Sequence, residues 1–111
     1  MKVWLVQMAV EVNNKEANLQ KILGYVDRGL QNGVNLIAFG ELVLSGYMCK
    51  EKFFELAEPI VGPSTDKVAS MIKGSNTYVV FGMPELQTGS LYNSAPMIGP
   101  KGLVGVCRKL Q

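Results

Sequence analysis

Chemistry in this sequence has to run without imidazole. None of the 111 residues is histidine, which removes every Ser–His or Cys–His nucleophile pair and every His-ligated zinc site. Acid–base work then falls to Glu, Asp, Lys, Tyr or Cys. Glu41 stands out first. It follows the apolar run Leu36-Ile37-Ala38-Phe39 and so closes an expected strand, at the end where α/β sheets build their sites. Burial beside Phe39, Leu42 and Leu44 would disfavour its charged form unless a cation or hydrogen bonds offset it; the plainer alternative is a salt-bridged or capping glutamate. Lys109 ends the last apolar run, on one strand face with Cys107 and Gly105; by type alone it is a solvated lysine. Cys107 reads as a small buried hydrophobe. Cys49 lies in a loop after Tyr47 and Met48, and Lys50 and Lys52 need not turn towards it to activate the thiol.

Two familiar ligand loops are missing. Gly62-Pro63-Ser64-Thr65-Asp66 lacks the Gly-x-x-x-x-Gly-Lys spacing, and Asp66 would repel a phosphate, so the segment reads as a helix cap. No Gly-x-Gly-x-x-Gly follows the first strand, which argues against a dinucleotide site.

The elements that must position these residues are legible in the periodicities. Val3 to Met8 reads as a strand. Asn13 or Asn14 offers an N-cap, and Glu16 can reach back from the first turn. Leu19, Ile22, Leu23, Val26 and Leu30 then form one stripe of an amphipathic helix over 14–32, closed by Gly33. Gly24 and Gly29 inside it each cost about 1 kcal/mol relative to Ala, so packing on a sheet has to carry that helix. Leu36 to Phe39 is a second strand, residues 50–57 a short helix, and Ser64 or Thr65 caps a further helix to about Lys73. Thr77 to Met83, Leu91 to Ile98 and Leu103 to Lys109 are three more strands. The last two are joined by a Pro-then-Gly turn at Gly99-Pro100-Lys101-Gly102. Strands and helices in this order predict one α/β domain with parallel strands first and a hairpin last.

Composition sets the outer limits. An apolar fraction of 48% and a charged fraction of 18% describe an ordinary globular interior. A net charge of +2, with basic residues scattered, gives no footprint for nucleic acid or a membrane surface. No stretch approaches the roughly 20 apolar residues that span a bilayer. The first ten residues are interrupted by Gln7 and lack a small-residue cleavage pattern, so they do not read as a signal peptide. Two distant cysteines predict reduced thiols and a cytoplasmic protein. Nothing in the residues calls for a metal or a cofactor.

Taken in order along the chain, the motifs resemble the nitrilase superfamily of carbon–nitrogen hydrolases. Leu36-Ile37-Ala38-Phe39-Gly40-Glu41-Leu42-Val43-Leu44-Ser45-Gly46-Tyr47 is similar to that family's first motif, in which an apolar strand ends in Phe-Pro-Glu-Leu and runs on to Gly-Tyr. Phe81-Gly82-Met83-Pro84-Glu85 and Leu91-Tyr92-Asn93-Ser94-Ala95 follow, and Cys107-Arg108-Lys109-Leu110 resembles the second motif, usually Tyr-Arg-Lys. The resemblance implies a Glu–Lys–Cys site on a four-layer αββα sandwich. This chain would supply half of it, a mixed sheet with helices on one face. It implies Glu41 as general base, Lys109 as stabiliser of the tetrahedral intermediate and Tyr47 at the border of a pocket for a small amide or nitrile. A loop aromatic packed on the core is the equal alternative for Tyr47. Gly40 stands where the family has proline, and Cys107 where it has an aromatic residue. The family's nucleophilic cysteine lies well downstream, and neither Cys49 nor Cys107 matches it. Residues 1–111 are therefore expected to be a single, incomplete N-terminal hydrolase domain, inactive alone. The alternative is a non-catalytic binding or assembly module derived from that family.

The strands carry one more expectation. Val3-Trp4-Leu5-Val6, Leu36 to Phe39 and Tyr78-Val79-Val80-Phe81 are continuously apolar, as in sheets buried on both faces. The helices can cover only one. About two outward apolar side chains per strand, at about 1.5–3 kcal/mol each, predict that the missing half or a second copy covers the other face.

Overall fold

A computed structural model describes residues 1–47 and 50–110, the side chains of Lys50 and Leu110 excepted; Cys49 lies outside the described residues. Its elements are β1 (Val3–Val6), α1 (Lys15–Gln31), β2 (Leu36–Phe39), α2 (Lys50–Leu56), α3 (Pro63–Ile72), β3 (Tyr78–Val80), β4 (Met83–Gln87), β5 (Ser90–Gly99) and β6 (Gly102–Leu110). They form one mixed six-stranded sheet. β1, β2 and β3 run parallel, and β5 is antiparallel to β3, β4 and β6.

Local chemistry accounts for most element ends. Asn14 caps α1, its side chain accepting from the Ala17 amide at 3.2 Å, while Asn13 takes a positive φ of 61° that asparagine tolerates better than most residues. α3 departs from expectation. Its cap is Gly62, Pro63 opens the first turn, and Thr65 sits three residues in, its hydroxyl accepting from the Gly62 amide at 2.8 Å. Ser64 is drawn instead to buried Glu58, which accepts from its amide at 2.8 Å and its hydroxyl at 2.6 Å.

The core lies between the helices and one face of the sheet. Ile22, Val26, Val68 and Ile72 are fully buried against Ile37, Val79 and Phe81. Gly29 allows α1 to come this near, because a Cβ there would sit 3.2 Å from Ile37 Cγ1 and nearer still to Cδ1.

The expected strand from Thr77 to Met83 is shorter than its apolar run, and a strand that was not expected follows it. β3 ends at Val80, and β4 runs from Met83 to Gln87, almost entirely beyond the expected bounds. At the break the Gly82 amide donates to the Gly40 carbonyl at 3.2 Å and the Gly82 carbonyl accepts from the Leu44 amide at 3.1 Å. An apolar run cannot reveal this exchange, since the partner backbone is some forty positions away.

The opposite face of the sheet has no covering layer within these residues. Register places Val3, Leu5, Leu36, Ala38, Tyr78, Val80 and Met97 on it together. Leu5 is 82% exposed, Val3 45% and Tyr78 42%. The architecture is thus a mixed sheet with helices on one face. No helix among the described residues is long and apolar enough to cross a membrane.

Candidate active site

Glu41 begins a tight turn just beyond β2. Leu42 adopts a positive φ of 51°, and the Gly46 amide closes the turn on the Leu42 carbonyl at 2.8 Å. Buried Asn18 of α1 holds the turn from below, donating to the Leu44 carbonyl at 3.0 Å and exchanging bonds of 2.7 and 2.8 Å with the Glu11 backbone. Gly82 holds it from the side. A Cβ at Gly82 would lie 2.8 Å from Glu41 Cα, so only glycine admits this approach. The sequence motifs contain Gly82 without assigning it a role; only the packing gives one to Gly82 and to Asn18.

Lys109 reaches the same place from the far end of the chain. It pairs with Asn93 across the β5–β6 ladder, as Cys107 pairs with Ala95. All four project on the face away from the helices, because directly opposed strand residues share a face. Glu41, Gly82, Asn93, Ala95, Cys107 and Lys109 are among the walls of one cavity of about 280 Å³.

Within that cavity the partner of Glu41 is an amide. Glu41 accepts a hydrogen bond from Asn93 Nδ2. Among the described residues no ion pair within 4.0 Å joins Glu41 to Lys109. Both side chains are exposed, and so is Cys107, against the expected burial of the carboxylate and the thiol. The reason is the uncovered face, since the cavity opens on the side of the sheet that carries no helix. Tyr47 is 66% exposed and does not line this cavity.

The adjacent residue points the other way. Arg108 passes to the helix side of the sheet, where its Nε and Nη2 donate to Glu85 Oε1 and Oε2 at 2.7 and 3.0 Å. Ser94 Oγ donates to the same Oε1 at 2.7 Å. Glu85 is fully buried, and its hydrogen bond raises the Arg108 pKa above the ordinary value, against the opposing effect of desolvation. A bidentate pair of this kind fixes geometry as well as charge. It pins β6 in register, so Lys109 must face the cavity. Among the described residues, no group of three or more His, Cys, Asp or Glu side chains is placed to hold a metal ion.

The arrangement offers a carboxylate oriented by an amide, with an ammonium and a thiol on β6 lining the same cavity. A carboxylate can take a proton from a nucleophile, and a fixed cation can offset charge that develops on a carbonyl oxygen or nitrile nitrogen.

Comparison with known proteins follows the same line. The carbon–nitrogen hydrolase family matches residues 2–111. A nitrilase of Pyrococcus abyssi is 31% identical over 113 residues, covering 99% of this chain and 43% of the relative. A probable nitrilase of Schizosaccharomyces pombe is 37% identical, covering 95% of this chain and 41% of the relative. The omega-amidase of Bos taurus is 33% identical, covering 88% and 35%. The chain therefore spans about two-fifths of the length of the curated relatives it matches. Among solved structures, a Saccharomyces cerevisiae member of branch 10 of the nitrilase superfamily superposes with a TM-score of 0.82 at 24% identity, covering the whole of this chain and 44% of that one. An N-terminal amidase gives 0.81 at 23%, covering 98% of this chain and 28% of that one. At those identities the likeness is one of fold.

Proposed function

This chain belongs to the carbon–nitrogen hydrolase family, and on that premise we propose that residues 1–111 are the part of a hydrolase domain that carries the general base and the oxyanion-stabilising cation. The substrate class is a small non-peptide amide or nitrile, in keeping with the nitrilase and amidase names of the relatives. The observation that carries the reading is the shared cavity. Glu41 and Lys109 are 68 positions apart (109 − 41), yet both line it.

In this reading Glu41 takes the proton of an attacking cysteine thiol, supplied by the portion of the family fold that these residues do not span. The thiolate adds to the amide or nitrile carbon, giving a tetrahedral adduct or a thioimidate. Lys109 stabilises the charge that develops on the oxygen or nitrogen. From the amide adduct ammonia leaves with the proton that Glu41 returns, whereas the thioimidate first adds water and then loses ammonia in the same way. A further water hydrolyses the resulting thioester to the carboxylic acid and the free thiol. The uncovered sheet face supports the same division of labour, because the layer that buries Leu5 and Tyr78 also roofs the cavity. That layer is the remaining half of an αββα sandwich or a second copy of this chain. Tyr47 is proposed to border the substrate once the roof is in place.

The test is ammonia release from a panel of small amides and nitriles by the protein isolated from its native source. Glu41→Gln is expected to lower the rate about 10²–10⁴-fold and Lys109→Met about 10²–10³-fold. Wild-type rates in either variant would overturn the assignment.

A further inference from the structure

We propose that Asn93 is a positioning residue, which holds the Glu41 carboxylate for proton transfer. This rests on the hydrolase reading above. Asn93 is 8% exposed and lies on β5, paired with Pro84 of β4 on one side and Lys109 of β6 on the other. It is therefore anchored on both edges. Glu41, by contrast, stands on a turn, and Lys109 is exposed on a strand that, among the described residues, is paired on one side only. The fixed member of the trio is the amide.

Its bond is selective between the two carboxylate oxygens. Asn93 Nδ2 donates to Oε1, while Oε2 accepts from no side chain among the described residues. One oxygen is thus held and the other is left to receive a proton. A neutral amide does this without removing the charge of the carboxylate. Aspartate at position 93 would repel the carboxylate, and leucine would leave it unheld.

Two measurements separate this inference from the reading it rests on. In the ¹⁵N-labelled protein the Asn93 side-chain amide protons are expected to exchange more slowly than those of exposed Asn76, and to lose that protection in Glu41→Ala. An Asn93 amide that exchanges like Asn76, or just as slowly in Glu41→Ala, overturns the contact whether or not the protein hydrolyses anything. In the hydrolysis assay, Asn93→Leu is expected to lower kcat on the order of 10- to 100-fold through misplacement of the base, with KM within about threefold. Asn93→Asp is expected to lower it at least as far. A KM-only effect, or an unchanged kcat in a variant whose amide spectrum is otherwise folded, overturns the positioning role.

Discussion

Gly82 stands against the backbone of Glu41: a Cβ at the glycine would meet Glu41 Cα at 2.8 Å and the Gly40 carbonyl oxygen at 2.8 Å. Both obstacles are backbone, so they cannot rotate away. Gly82→Ala is expected to cost about 1–3 kcal/mol, the usual penalty for overpacking, and to displace the turn that carries Glu41. Urea unfolding measures the first effect, and the Glu41 amide shift the second. A variant of wild-type stability would show that the turn yields freely.

Removing Glu85 should loosen β6. Glu85→Ala strands Arg108 and Ser94 without their acceptor and is expected to lower the melting temperature, an effect moderated because the Arg108 side chain is about one-third exposed and water can replace part of the pair. Amide exchange should rise along β6 more than in α1. Uniform exchange across both would place the lock elsewhere.

Asn18 ties α1 to the Glu41 turn through three bonds and is fully buried. Asn18→Leu keeps the branched shape of the side chain and leaves the Leu44 carbonyl and the Glu11 amide without a partner, at an expected cost of about 1–3 kcal/mol. Thermal unfolding compared with an exposed control, Gln20→Leu, checks this. Equal melting temperatures would refute it.

The 111-residue polypeptide by itself is expected to self-associate through the uncovered face. Val3, Leu5 and Tyr78 are exposed there beside Leu36, Val80 and Met97, and a stable association would bury more than roughly 1,000 Å². Sedimentation at micromolar concentration should show a dimer or larger species, and Leu5→Lys should shift it towards monomer. A stable wild-type monomer would sink the idea. The same preparation is expected to release no ammonia from amides or nitriles, since loss of a nucleophile removes nearly all the rate of a unit-acting set.

Much of this protein is written in its local patterns. The stripe Leu19, Ile22, Val26 specifies α1 and the face it buries. The run Leu36 to Phe39 is β2 to the residue, and Gly99 to Gly102 turns β5 into β6. The order of the motifs around Glu41 and Lys109 was enough to identify the family. Each of these signals is carried by residues near one another in the chain, where propensity and spacing act directly. Only the tertiary structure decided that the strand after Thr77 breaks at Gly82, because the obstacle is the backbone of residues 40–42. Only packing decided that Glu41 takes its hydrogen bond from Asn93, 52 positions on, in place of an ion pair with Lys109. The exposure of Glu41 and Cys107 has the same origin. Alternation along a strand says which residues share a face, but whether that face is covered depends on what lies across it, and that is a property of the assembled layers.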